Sequence, residues 1–426
     1  MRVAFVVGTT SGGTGRHVRM LAEGLVRRGH QVLVVGPRSV EERFAFTGAG
    51  ARFVHVPVSD RPHPLNDARA VLAIRRLTRE ADAVHAHGLR AGALAALAAP
   101  LRPARTRGGA PLVVTLHNAL TAGGFVGLVY GVLERIVARR ADRVLVVSPD
   151  LGERMERLGA GDVRPAVVPA PALRPARRTP EEVRAELGAG ERPLVLTLAR
   201  LAQQKGLENL LDAARGPWPG ARESTDEARP VVVPDEAASG TGPTEVQEGA
   251  PGGDAREGAA VAGEVAGRAG GAGSGRAARG RPLFVVAGEG PLRAALQRRI
   301  DAEGLPVVLL GERDDVPDLL AAATVVVWPS RWEGLPLSLS EALMAGRPVV
   351  ATAVGGIPGL LGEAGKLVPY GDAGALRSAV RELVEEPATA ARMAEAAARR
   401  GAELPDADDA VEDVLAVYGK PRSSGG

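Results

Sequence analysis

Four charged side chains carry the strongest chemical signal in this 426-residue chain: Arg200, Lys205, Glu333 and Glu341. Arg200 and Lys205 stand five residues apart in Leu198-Ala199-Arg200-Leu201-Ala202-Gln203-Gln204-Lys205-Gly206, where an apolar run passes into a helical one. Two cations at a strand-to-helix turn suit both phosphates of a diphosphate, Arg as a planar fork and Lys as a point charge. Lys205 is the more telling of the two, because the chain holds 3 Lys against 50 Arg.

Glu333 and Glu341 lie between the apolar runs Thr324 to Trp328 and Pro348 to Ala351, so the stretch reads as strand, turn, helix, strand. Open parallel sheets gather ligands at the carboxyl ends of their strands, which makes this turn a candidate site with two carboxylates at one mouth. A local reading competes with it. Ser338 and Glu341 also fit the S-x-x-E capping box, with Glu333 left as a solvated loop acid.

Weaker signals fall at other strand ends. Gly8 to Val18 holds Gly12, Gly13 and Gly15 and opens the first helix, where backbone amides and the helix dipole favour a phosphate; a tight structural turn explains the glycines equally well. A dinucleotide fingerprint is not met, and the missing Gly-Lys-Ser/Thr excludes a P-loop. Gly288-Glu289-Gly290-Pro291 and Gly355-Gly356-Ile357-Pro358 are two more glycine turns of this kind. His85, His87 and His117 also stand at or just past strand-like runs. His85 and His87 face one side at i, i+2, yet no carboxylate or third ligand has suitable spacing, so satisfied buried histidines are favoured over metal. His117 is better placed to reach a cleft between domains.

These residues must be positioned by the alternation around them. In the first half, short Val-rich runs (2–7, 31–35, 53–56, 83–85, 112–116 and 143–147) alternate with periodic segments such as 18–28 and 68–79. That pattern predicts a parallel, doubly wound sheet. Runs at 193–198, 283–287, 307–310, 324–328 and 348–351 repeat it. The expected class is therefore α/β: two Rossmann-like doubly wound parallel-sheet domains with a cleft between them. The first spans residues 1–165, a Pro-broken linker 166–190, and the second 191–403. A helix over 404–421, centred on the amphipathic 407–418, is expected to pack back toward the first domain, leaving a tail at 422–426. Residues 216–280 hold 15 Gly and 6 Pro with almost no apolar periodicity. Such a segment buries too little surface to offset its ordering entropy and is expected to be a disordered insertion in the second domain.

Composition narrows the function classes. Zero Cys removes disulfides, thiolate catalysis and Cys-ligated metal, and fits a cytoplasmic protein. No signal peptide is visible and no apolar window reaches the ~18 residues of a membrane span, so a soluble protein is expected. Residues 1–190 carry 28 Arg against 16 acids, a net basic half. The arginines are scattered, with no basic-aromatic stripe, so nucleic acid is not an expected partner. The stretch Leu128 to Arg140 has an apolar stripe beside Arg135, Arg139 and Arg140, as an ordinary packed helix or a helix lying on a membrane would.

Together these motifs carry a resemblance. The G-G-x-G loop, His117 after a strand, R-x4-K-G from Arg200 to Lys205, Gly288-x-Gly290-Pro291 and E-x7-E from Glu333 to Glu341 resemble the GT-B fold retaining glycosyltransferases of family 4. The likeness covers nearly the whole chain except 216–280, and the E-x7-E block with its flanks is its most specific part. It implies transfer of a sugar from a nucleotide-diphosphate sugar to a hydroxyl of a small-molecule, glycan or lipid-linked acceptor, without cofactor or essential metal, and it leaves room for peripheral contact at the inner face of the membrane. Arg200 and Lys205 would hold the diphosphate, Glu333 the sugar hydroxyls and Glu341 the ribose diol. His117 would touch the sugar from across the cleft. Gly12, Gly13, Gly288, Gly290, Gly334 and Leu335 would complete the donor-binding set, largely through backbone groups. The leaving phosphate can take the acceptor proton in such a reaction, so no base is nominated. Three departures stand out: Leu335-Pro336 in place of Phe-Gly after the first Glu, Gly359 in place of Glu, and Val168-Pro169-Ala170 where Asn-Gly is frequent. None removes a cation or carboxylate named above. A GT-B epimerase or phosphorylase, or a catalytically silent GT-B scaffold, remains the alternative.

Overall fold

The computed structural model describes residues 1–10, 12–58, 63–100, 110–117, 124–169, 172–218 and 280–419. Seven strands form the first sheet: β1 (Arg2–Val7), β2 (Gln31–Gly36), β3 (Arg52–His55), β4 (Ala83–His87), β5 (Leu112–Leu116), β6 (Arg143–Val146) and β7 (Val163–Pro165). Their order is β3-β2-β1-β4-β5-β6-β7, and every ladder is parallel. The second sheet holds β8 (Leu194–Leu198), β9 (Leu283–Ala287), β10 (Val307–Gly311), β11 (Val325–Trp328), β12 (Val349–Thr352) and β13 (Lys366–Val368), in the order β10-β9-β8-β11-β12-β13. This is the two-domain α/β GT-B architecture.

Burial explains the continuous apolar runs. Strands β5, β8, β9, β11 and β12 are buried along their whole length, because helices cover both faces of each sheet. The helix Gly13–Arg27 buries Val18, Leu21, Ala22 and Leu25, a spacing that places one apolar stripe on the first sheet. The helix Ala407–Tyr418, capped by a reciprocal Asp406–Asp409 box, leaves the second domain and buries Ala410, Val411, Val414, Val417 and Tyr418 in the first-domain core.

Several expectations need correction. Val163–Pro165, which no apolar run marks in the sequence, pairs with β6 as an edge strand, where a proline is tolerated. The expected linker 166–190 contains the helix Pro180–Glu186, started by a Thr179–Glu182 capping box and anchored by Val183 in the second-domain core. Gly216 to Trp218, placed in the insertion, are part of that domain. Trp218 is buried against Phe284, with ring centroids 5.7 Å apart. The rest of the insertion, residues 219–279, and the tail from residue 420 lie outside the described residues. The three-residue β13 was not anticipated. Among the described residues, no helix is long and apolar enough to cross a membrane.

Candidate active site

In a doubly wound sheet the strand order reverses at one point, and the loops leaving the two strands there splay apart into a crevice. In the second domain that point lies between β8 and β11. The loop after β8 carries Lys205 and the loop after β11 carries Glu333, and these side chains meet: Lys205 Nζ lies 2.6 Å from Glu333 Oε1. Ser330 Oγ donates to the same oxygen at 2.7 Å. Glu333 is only 6% exposed, and a carboxylate this buried requires such partners. Backbone bonds fix both loops. Arg331 N donates to Gln204 O, and Gly356 N donates to Glu333 O. The approach of the 355–356 turn demands glycine, since a Cβ on Gly355, whose φ is +55°, would lie 1.8 Å from Glu333 O.

The carboxyl edge of the first sheet faces Glu333 across a cavity of about 310 Å³, with Lys205 behind the Glu333 carboxylate rather than on the lining. Thr9, Thr10, Gly13, Thr14, His17 and His117 line it from the first domain, and Glu333, Gly334, Leu335 and Leu337 from the second. The two domains also touch directly. Trp332 Nε1 donates to Asp150 Oδ2 at 2.8 Å, and Gly334 packs under the carbonyl of His117.

Behind the cavity-lining His17 and His117, the buried His87 and His85 continue a column of histidines into the first domain. His117 Nε2 lies 3.1 Å from His87 Nδ1. The His87 ring stacks on His85 with centroids 4.2 Å apart. His85 is engaged at both nitrogens, by Thr115 Oγ1 and Tyr418 OH, each at 2.7 Å. Burial disfavours the charged form of all four rings: His17 falls to about 4, His117 to about 3, and His85 and His87 well below the ordinary imidazole value, with neighbouring histidines adding to the drop for His85, His87 and His117. Neutral imidazoles are hydrogen-bonding groups here, not cations. His85 has no nitrogen left for a metal, and no three His, Asp or Glu side chains converge as a metal site among the described residues.

The remaining sequence candidates are spread along the same edge. The Arg200 side chain is exposed and makes no hydrogen bond or ion pair among the described residues. Its backbone is pinned by the turn after β9: Ala199 N donates to Ala287 O and Leu201 N to Glu289 O. Gly288 and Gly290 permit that contact, because a Cβ on either would lie 2.1 Å from Ala199 O or 2.4 Å from Leu201 O. Neither glycine lines the cavity described above. Gly12 precedes the first helix with φ +88°. The capping reading of Ser338 and Glu341 is overturned: the helix Leu337–Met344 starts after Pro336, no side chain caps it, and Glu341 is its fifth residue. Glu341 is half-buried, and burial raises its carboxyl above the ordinary value against the pull of Arg16 from the first domain. Asp315, half of the adjacent Asp314–Asp315 pair, is engaged by Arg313 and Arg178 in an ion-pair network away from the cleft. His17 lines the cavity but was not singled out from the sequence, because nothing in Arg16-His17-Val18 distinguishes it from a helix-surface histidine.

Comparison with known proteins agrees with this geometry. Residues 12–171 match a family model described as Glycosyl transferase 4-like domain, and residues 276–386 one described as Glycosyl transferases group 1. Alpha-D-kanosaminyltransferase of Streptomyces kanamyceticus is 27% identical over 423 residues, covering 89% of this chain and 92% of that protein. 2-Deoxystreptamine N-acetyl-D-glucosaminyltransferase of Streptomyces fradiae is 29% identical over 387 residues, covering 82% and 74%. Among solved structures, HepE of Anabaena in complex with UDP superposes with a TM-score of 0.70 at 19% identity, covering 97% of this chain and 98% of that one. With a family match in each half and the two-sheet fold shared along the whole length, the chain belongs to the GT-B glycosyltransferases of family 4, the group 1 glycosyltransferases.

Proposed function

We propose that the chain transfers a sugar, with retention at the anomeric carbon and without a metal, from a nucleoside diphosphate sugar to a hydroxyl of a small-molecule or glycan acceptor. One observation carries this reading: Lys205 and Glu333 meet at the switch point of the second sheet, and Glu333 stands opposite His117 across the cavity. Glycosyl transfer builds positive charge on the sugar and negative charge on the leaving diphosphate. Lys205, with Arg200 on the adjoining loop, supplies fixed positive charge for the diphosphate. Glu333 accepts from sugar hydroxyls, and Glu341 from the ribose.

The cavity favours a mechanism without an enzymic base. His17 and His117 are too weakly basic, at about 4 and about 3, to take a proton efficiently near neutrality. Glu333 is committed to Lys205 and Ser330. The acceptor proton therefore passes to the leaving phosphate oxygen on the same face of the sugar. HepE of Anabaena, solved with UDP-glucose, supports a nucleotide-sugar donor, and the relative named for 2-deoxystreptamine supports a small-molecule acceptor. Membrane contact is the second reading. In the helix Gly124–Arg140 the exposed Leu128 and Val132 share one stripe with the exposed Arg135 and Arg139, a face suited to an anionic bilayer surface.

Incubation with a panel of nucleotide sugars, followed by mass spectrometry and anomeric NMR, tests the proposal. Slow release of free sugar and nucleoside diphosphate, insensitive to EDTA, is expected. An isomerised nucleotide sugar would instead mean epimerisation, and no binding of any nucleotide sugar would remove the enzymic reading. Cosedimentation with anionic vesicles tests the membrane contact.

A further inference from the structure

The His87–His117 contact has a direction that the burial of His87 decides. Two neutral imidazoles joined nitrogen to nitrogen share one proton, so one of His87 Nδ1 and His117 Nε2 donates and the other accepts. The second ring nitrogen of His87, Nε2, is buried and has no hydrogen-bond partner among the described residues. If His117 were the donor, the neutral His87 would carry its own proton on Nε2, leaving a buried N–H with nothing to bond. If His87 donates from Nδ1, its Nε2 is only a bare lone pair. Buried donors without partners are rarer and costlier than under-used acceptors.

We propose that His87 is a positioning residue, which donates its Nδ1–H to His117 Nε2 and thereby holds His117 as the Nδ1–H tautomer, a fixed hydrogen-bond donor toward the cavity. The groups facing the pair leave this arrangement undisturbed. Phe5 of β1 meets the His87 ring edge-on at 5.4 Å, His85 of β4 stacks on it, and His17 of the first helix stands 5.9 Å away. Each is uncharged near neutrality. His85 is itself immobilised by Thr115 and by Tyr418 of the C-terminal helix, so the plane of His87 is fixed from behind. Of the two His117 ring nitrogens, only Nδ1 then has a proton to offer, and His117 lines the cavity.

A donor at this place recognises an oxygen that accepts, either a sugar hydroxyl or a phosphate oxygen of the donor substrate. That last step rests on the proposed glycosyl transfer. The tautomer does not, and it can be read without any substrate.

Two-bond ¹H–¹⁵N correlation spectra of the full chain labelled at its 7 histidines would report each tautomer. The Nδ1–H pattern is expected for both His87 and His117, unchanged from pH 8 to pH 5.5. In His87→Leu, His117 should revert toward the Nε2–H form that a free histidine side chain prefers, and kcat/KM should fall ~10-fold, on the scale of one lost transition-state contact. His87→Gln, whose amide can donate to the same nitrogen, should restore the Nδ1–H signal and part of the rate. An Nε2–H signal from His117 in the unaltered protein, or an identical His117 signal in His87→Leu, overturns the proposal. Should the leucine variant not fold, the spectrum of the unaltered protein decides alone. A chain with the expected tautomer but no turnover of any nucleotide sugar would refute the transfer reading and leave the His87 assignment standing.

Discussion

Lys205 Nζ and Glu333 Oε1 stand 2.6 Å apart, although 128 residues separate them in the chain. Lys205 is 18% and Glu333 7% exposed at the side chain, so the pair is held in a partly desolvated crevice rather than on the surface. Without substrate, the cation and the carboxylate neutralise each other. A bound diphosphate sugar would offer Lys205 a stronger anion and Glu333 a set of hydroxyl donors. The ion pair keeps both groups ordered, and in the proposed transfer it would limit reorganisation on binding.

Removing the cation should separate chemistry from folding. Lys205→Ala is expected to lower kcat by ~10²-fold or more, the scale of a lost electrostatic stabiliser in a water-poor site. Glu333 would keep Ser330 and the backbone bond from Gly356, so the melting temperature should drop by only a few degrees. Initial rates with the donor identified by the panel decide it. Turnover at the level of the unaltered protein would refute the diphosphate role.

The turn beneath Glu333 can be tested by one methyl group. Gly355→Ala places a Cβ 1.8 Å from Glu333 O at φ +55°. The clash and the left-handed backbone together should cost ~2–4 kcal/mol and displace Glu333, abolishing most activity. Gly359→Ala, four residues on and with nothing within 4 Å of its Cβ position, is the control and should be neutral or slightly stabilising. The denaturant midpoint should therefore fall in Gly355→Ala and stay level or rise slightly in Gly359→Ala.

Much of this was legible in the sequence, and the exceptions have physical causes. Fully buried strands such as β8 and β11 declare themselves as runs dominated by Val and Leu, broken only by Thr197 and ended by Trp328. β7 and β13, of three residues each, carry too few side chains to show a period, and Pro165 argues against a strand unless its edge position is known. The linker helix was signalled by Thr179-Pro180-Glu181-Glu182, but four nearby prolines obscured it. Lys205 and Glu333 could be chosen from residue type and place. Their contact, and the seating of His17 beside His117, depend on how two loops 100 or more residues apart fold toward each other, which no local pattern encodes.

The buried histidines should make the fold acid-sensitive in a defined window. Their folded values lie below the unfolded value of 6.5, at about 4 for His17 and about 3 for His117. Below pH 6.5 the unfolded chain therefore binds protons that the native state refuses, so stability is full above that pH and declines as pH falls toward those folded values. Each histidine contributes a slope of up to ~1.4 kcal/mol per pH unit. Most paired carboxylates titrate lower, which isolates the histidine contribution between pH 6.5 and 5. Glu341 opposes it slightly, since its raised value favours the native state as acid is added. Urea unfolding at pH 7, 6 and 5 should show a progressive loss, reduced in His17→Phe. A flat profile would falsify the burial of neutral imidazoles.

The last prediction concerns the glycine-rich segment. Its two flanks converge on one carbonyl: Trp218 Nε1 donates to Ala214 O at 3.2 Å, and Arg281 Nη2 donates to the same oxygen at 3.1 Å. Trp218 and Arg281 therefore stand close together, and a bridge of a few residues, at ~3.3 Å each, is long enough to join them. Replacing 219–279 with a short Gly/Ser linker should leave the melting temperature and the transfer rate within a narrow margin of the full chain. Trp218→Ala should behave differently. Trp218 is buried between Phe284 and the Arg381 guanidinium, and emptying that site should cost ~3–5 kcal/mol. Calorimetry on the two variants separates the segment from its anchor. An insoluble or strongly destabilised deletion variant would show that the glycine-rich residues contribute to the core, and that the fold does not close at Ala214.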